Sequence, residues 1–197
     1  LLLVPPDNAA LRPALEAFVT ACWDTGLEIG SSVRTVDECL ALAQQDITAQ
    51  TSMLEMRHIG GRTEHFAQLL AQLPSTFHPQ DFFLAKHLEL RQRHTKFENA
   101  PYALEPNCKE SPGGLRDLHT ILWVAKAANL GHDWHELAQH GILTNLEAQQ
   151  LERNETTLFQ IRARLHGVAG RHEDRLLFDL QTAVALSLGL KNHTPQG

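Results

Sequence analysis

The chain has 197 residues, 43% hydrophobic and 20% charged, with a formal net charge of −6. This balance supplies a packed core and excludes a disordered chain. The negative charge excludes a nucleic-acid backbone binder, which needs a clustered basic surface, and no apolar run reaches the ~18 residues of a membrane span.

In chain order, residues 1–4 (Leu-Leu-Leu-Val) read as the end of a buried strand, stopped by Pro5-Pro6. Leu11, Leu15, Phe18, Val19, Cys22 and Trp23 recur at helical spacing, and Gly26 ends that helix. Residues 27–34 alternate, with Leu27, Ile29 and Val33 on one face and Glu28, Ser32 and Arg34 on the other, which predicts a complete strand. Thr35 with Glu38 forms a capping-box pattern opening a helix. Asp46 is an N-cap for the next, expected to run through Met53, Leu54 and Met56 to Gly60-Gly61. A further helix reaches about Leu73, and residues 74–79 break it. Phe82, Phe83, Leu90 and Phe97 mark a longer helix, and residues 99–114 a loop rich in Pro, Gly, Asn and Ser. Leu115, Leu118, Leu122 and Ala125 begin the helix behind that loop. Asp133 with Glu136 and Thr144 with Glu147 are two more capping-box patterns, the second opening a long helix through Leu151, Leu158, Ile161 and Leu165. Leu177, Leu180, Val184 and Leu188 make the last helix, ended by Gly189.

Residues 107–117, Asn-Cys-Lys-Glu-Ser-Pro-Gly-Gly-Leu-Arg-Asp, carry the most chemistry. Gly113 and Gly114 directly precede a helix, where backbone N–H groups and the helix dipole favour an anion. Lys109 adds a point charge and Arg116 a forked donor for phosphate. Asp117, in the first turn, suits the dipole and can orient Lys109, Arg116 or a metal. The competing reading is a Pro-Gly-Gly turn in front of a well-capped helix. Cys22, Cys39 and Cys108 have neither zinc-site nor disulfide spacing and point to a reducing, cytoplasmic setting. His132-Asp133 with His135 and His140 superficially resembles a metal-dependent hydrolase motif, but Asp133 reads as a helix cap among exposed histidines.

Taken together, several segments resemble the bacterial PII-protein uridylyltransferase/uridylyl-removing enzymes. Residues 105–118 (EPNCKESPGGLRDL) are similar to that family's loop. In the family's order also stand residues 1–5 (LLLVP), Trp23-Asp24, residues 27–35 (LEIGSSVRT) and Asp46-Ile47-Thr48 with Leu54-Glu55-Met56-Arg57. Arg93-His94 and Tyr102 follow, then residues 141–144 (GILT), Arg162 to Leu165 and residues 171–179 (RHEDRLLFD). The resemblance implies a mainly α chain, a helical bundle following a partial α/β, polymerase-β-like nucleotidyltransferase palm. Residues 1–45 would close the palm and residues 46–197 would form the helical domain.

The activity so implied is transfer of UMP from UTP to a tyrosine of the PII nitrogen-signalling protein with Mg²⁺, a separate HD-type domain removing it and ACT domains sensing glutamine. The family's Asp-x-Asp pair is expected just upstream of Leu1, which is not a Met, so these residues alone are expected not to transfer UMP. A third metal carboxylate falls to Glu28, on its predicted strand, or Asp46, whose alternative role is a plain cap. Lys109, Gly113, Gly114, Arg116 and Asp117 are the candidate nucleotide contacts, with Arg34 lining the cleft from the strand. Two other readings stay open: a helical module that docks PII or other domains, and the related glutamine-synthetase adenylyltransferase, which shares a Lys…Gly-Gly loop.

Overall fold

A computed structural model describes residues 1–27, 29–97 and 102–190. The chain packs as two units, Leu1–His78 and Pro79–Gly197.

The first unit opens with β1 (Leu2–Leu3), a 3-10 turn (Ala9–Leu11) and α1 (Arg12–Asp24), then β2 (Val33–Arg34). The strands pair in parallel, Leu2 with Val33 and Leu3 with Arg34, and α1 is the crossover that parallel strands require. Among the described residues, the strand expected over residues 27–34 is thus realised only at Val33 and Arg34. A strand is as long as its partner allows. Leu2 N–H donates to Ser32 O at 2.8 Å and Val4 N–H to Arg34 O at 3.0 Å; Pro5, which lacks an N–H, ends the ladder on the Arg34 side, and residues 29–32 precede the first paired residue of β2. Glu28 lies outside the described residues.

Then come α2 (Val36–Gln45), α3 (Ile47–Leu54) and α4 (Thr63–Gln72), which runs into a 3-10 turn (Leu73–Thr76). Thr35 and Glu38 form the full reciprocal capping box of α2, and Asp46 Oδ1 accepts from Thr48 N–H (2.7 Å) and Ala49 N–H (3.1 Å) to cap α3. Residues 46–61 do not form one helix: α3 stops at Leu54, where Glu55 N–H turns back to Ser52 and Met53 carbonyls in a tight last turn. Val36, Cys39, Ala43, Met53, Leu69 and Leu73 form the core of this unit. Helices on both sides of Asp46 share that core, so the break in packing falls at His78/Pro79.

The second unit holds α5 (Pro79–Lys96), α6 (Leu115–Ala127), α7 (Trp134–Gln139), α8 (Asn145–Ala169) and α9 (Phe178–Ser187). Thr144 and Glu147 again form a full capping box. At α7, Asp133 accepts from Glu136 N–H, but the Glu136 carboxylate reaches one residue further back, to His132 N–H at 2.7 Å. One core joins Leu118, Ala125, Trp134, Leu137 and Ala148, and another joins Cys108, Leu165 and Val184. The second core anchors the loop before α6 against the α8–α9 connection. There Asn107 bridges Arg175 in antiparallel fashion, Cys108 N–H donates to Asp174 O at 2.8 Å, and Leu176 N–H donates to Pro106 O at 2.9 Å.

Candidate nucleotide-phosphate site

The loop before α6 is built by its own polar groups. Asn107 Oδ1 accepts from Lys109 N–H (3.0 Å) and Glu110 N–H (2.8 Å), and Ser111 Oγ accepts from Asn107 N–H at 3.0 Å. The chain then folds under the start of the helix. Gly114 N–H donates to Ser111 O, Leu115 N–H to Cys108 O and Arg116 N–H to Lys109 O, at 2.8–3.0 Å. Gly113 N–H donates to Asp117 Oδ2 at 2.8 Å. The amides that the sequence offered to an anion therefore already have acceptors, and the Asp117 carboxylate is the anion at this helix N-terminus.

What the loop presents outward is charge on side chains. Arg93 NH2 donates to Asp117 Oδ1 at 2.5 Å, and His94 Nε2 lies 2.9 Å from Oδ2. Glu110 faces Arg116 at 3.2 Å, Lys109 at 3.6 Å and Arg93 at 4.0 Å. Asp174 takes Arg162 Nε at 2.6 Å and His166 Nε2 at 3.0 Å, with Lys109 Nζ at 3.9 Å from its other oxygen. Counting histidines as neutral, Arg93, Lys109, Arg116 and Arg162 face Glu110, Asp117 and Asp174. The cluster thus carries a positive excess inside a chain of net charge −6. Lys109 touches its carboxylates only at ion-pair distance and is about a third exposed, as is Arg116. Buried Arg93 Nε has no hydrogen-bond acceptor.

These partners set the ionisation. Burial by itself would raise the Asp117 carboxyl, but the Gly113 amide, Arg93 and His94 outweigh it and hold the group below the ordinary aspartate range. Asp174 behaves likewise: burial opposes the charge, while Arg162, His166 and Lys109 favour it and prevail. The Cys108 thiol is pushed up by burial and then by the Asp174 charge, and its Sγ donates to Asp174 O at 3.2 Å. It is a packing residue of the loop and not a nucleophile.

The family model of the GlnD PII-uridylyltransferases matches residues 81–197, which include all of this cluster. The chain belongs to that family. Among curated relatives named bifunctional uridylyltransferase/uridylyl-removing enzyme, the one from Cupriavidus pinatubonensis is 56% identical over 98% of this chain. Those from Cupriavidus metallidurans and Burkholderia mallei are each 54% identical, over 98% and 96% of it. The chain spans about a fifth of these relatives' length, 22–23%. No solved structure matches it.

Within this uridylyltransferase-family chain, Lys109, Gly113, Gly114, Arg116 and Asp117 come together in the second unit. Arg34, on β2, and Asp46, at the start of α3, belong to the first. Arg171 pairs with Glu173 and Arg175 with Glu105, at the edge of the cluster. Glu110, Arg162 and His166 were not singled out by the sequence as binding residues, while Arg171, Asp174 and Arg175 read as a structural ion-pair cluster joining helices, with a substrate contact as the lesser reading. The readable signal was Arg162 and His166 four apart on α8, one face of one turn. Among the described residues no helix is long and apolar enough to cross a membrane, and no group of His, Cys, Asp and Glu forms a metal cage.

Proposed function

We propose that this chain serves a uridylyltransferase that moves UMP from UTP to a tyrosine of the PII protein, and that Lys109 and Arg116 contact the triphosphate. The observation carrying this reading is the positive excess at residues 93–117 and 162–174, in which a partly exposed ammonium and guanidinium are held near, but not consumed by, Glu110 and Asp174. In the reaction a phenol oxygen of the acceptor bonds to the α-phosphorus, the bond from that phosphorus to the bridging oxygen breaks, pyrophosphate leaves and the phenol proton is released. Negative charge grows on the leaving phosphates, and pre-placed cations stabilise it without reorganising. Asp117 and Asp174 keep the cations in place by being ionised throughout the neutral range.

Mg²⁺ is part of this proposal as the partner of the triphosphate. The described residues do not by themselves form its site: Asp46 uses Oδ1 as a helix cap, and no carboxylate cluster surrounds it. The free cysteines fit a reducing cytoplasm. Removal of the uridylyl group and glutamine sensing are assigned to parts of the protein outside these residues. The competing reading, a docking module for PII, is favoured by the exposed apolar residues Phe83, Leu84 and Leu88 on α5.

The test is Lys109→Ala in a full-length enzyme carrying this chain. Loss of one charge-assisted contact, about 1.5–3 kcal/mol, lowers kcat/KM for UTP by roughly ten- to a hundredfold. Preference for uracil over other bases stays the same, because phosphate contacts do not read the base. The melting temperature also stays the same, because partly exposed ion pairs contribute little. Normal UTP kinetics would remove Lys109 from the site, and PII binding that needs neither UTP nor Lys109 would favour the docking reading.

A further inference from the structure

We propose that Trp123 is a positioning residue for the Arg116 guanidinium, a role that rests on the uridylyltransferase reading above. Arg116 and Trp123 lie seven residues apart on α6, two turns along one face. The guanidinium carbon of Arg116 sits 5.4 Å from the Trp123 ring centroid, and its NH2 donates to Glu110 Oε1 at 3.2 Å. The group is thus held between a carboxylate and an aromatic surface.

The aromatic surface is itself fixed. Trp123 is only 8% exposed. Lys86 of α5, 3% exposed, places its ammonium 5.5 Å from the Trp123 ring and 5.7 Å from that of Phe82, and pairs with Glu89 at 2.8 Å. A buried ammonium persists only where partners compensate for its lost hydration. Two rings and one carboxylate supply that compensation, and the arrangement pins Trp123 from the neighbouring helix.

The consequence for function is preorganisation. A partly exposed arginine ordinarily samples many rotamers and loses that freedom when it binds an anion. A guanidinium held beside the Trp123 ring and bonded to Glu110 has lost part of that freedom already, and it keeps further N–H donors for phosphate oxygens. A lysine at position 116 would present a point charge and not a fork of donors. His119, 5.8 Å from the Trp123 ring, lines the same face between them.

The experiment uses a full-length enzyme carrying this chain, with UTP KM and kcat measured for Trp123→Phe, Trp123→Met, Arg116→Gln and the Arg116→Gln/Trp123→Met double variant, and melting temperatures measured alongside. Phe and Met are both smaller than Trp and both cost packing, but only Phe keeps a ring. The expected result is a UTP KM raised roughly three- to tenfold by Trp123→Met and largely restored in Trp123→Phe, whatever their melting temperatures. In the Arg116→Gln background, Trp123→Met adds nothing to KM. Equal KM for the Phe and Met variants, or an undiminished Trp123→Met effect in the Arg116→Gln background, overturns the positioning role. Should Arg116→Gln itself leave UTP kinetics unchanged, the nucleotide reading of Arg116 fails, and this inference with it.

Discussion

Gly113 and Gly114 look interchangeable in the sequence, yet the structure assigns them different reasons for being glycine. Gly114 has φ −79° and ψ 179°, a conformation open to any residue. A β-carbon there would sit 2.9 Å from both Lys109 O and Ser111 O and 3.1 Å from Cys108 O. Those carbonyls accept from Arg116, Gly114 and Leu115 amides, so a methyl group must loosen the bonds that tie the loop under α6. At about 0.5–1.5 kcal/mol net for each of these bonds, Gly114→Ala costs roughly 1.5–4.5 kcal/mol. For a unit of this size that is a fall in melting temperature of about 5–15 °C. Gly113 has φ +80° with nothing within 4 Å of its would-be β-carbon. Gly113→Ala therefore costs only the left-handed backbone term, about 1–2 kcal/mol. Thermal unfolding of the chain at neutral pH, followed by circular dichroism or calorimetry, ranks the two: Gly114→Ala melts lower than Gly113→Ala. A Gly114→Ala variant that melts with the wild type would refute the carbonyl cage and leave close approach of a ligand as the reason for that glycine.

Asp117→Asn loses the charge that the Gly113 amide, Arg93 and His94 stabilise, and should destabilise the chain by about 1.5–3 kcal/mol at pH 7. Because the folded carboxyl is held below its ordinary value of 3.8, its contribution is present above that pH and lost as pH falls through the folded value. The stability gap between wild type and variant, measured by denaturant titration, should therefore close as the pH is lowered below 3.8; a gap that persists unchanged there contradicts the assignment. Asp46→Ala removes the cap of α3 and should cost about 1 kcal/mol, while Asp46→Asn, which retains an acceptor oxygen, should keep most of it. Equal losses in the two variants would mean that the charge matters more than the cap.

Sequence by itself determined what depends on neighbours three or four residues away. The capping boxes at Thr35/Glu38 and Thr144/Glu147, the Asp46 cap, and the helices behind them were legible because a cap closes on the next turn of its own chain. The family resemblance was legible for a similar reason, since it rests on short ordered segments, and the matched family bears it out. Alternation at residues 27–34 was equally clear, but a strand needs a partner, and β1 extends only over Leu2–Leu3. Periodicity cannot report the length of a partner. The charge cluster was decided by tertiary structure. Arg93 and His94 reach Asp117 across a connecting loop, and Lys109 meets Asp174 only because Cys108 is buried with Leu165 and Val184. Likewise, Gly-Gly before a helix predicts free amides, and only the folded loop spends them on its own carbonyls and on Asp117. The Arg93, His94 and Lys109 pairings join groups distant in sequence and need the packed helices, whereas the amide pairings are local but depend on a loop conformation that periodicity does not report.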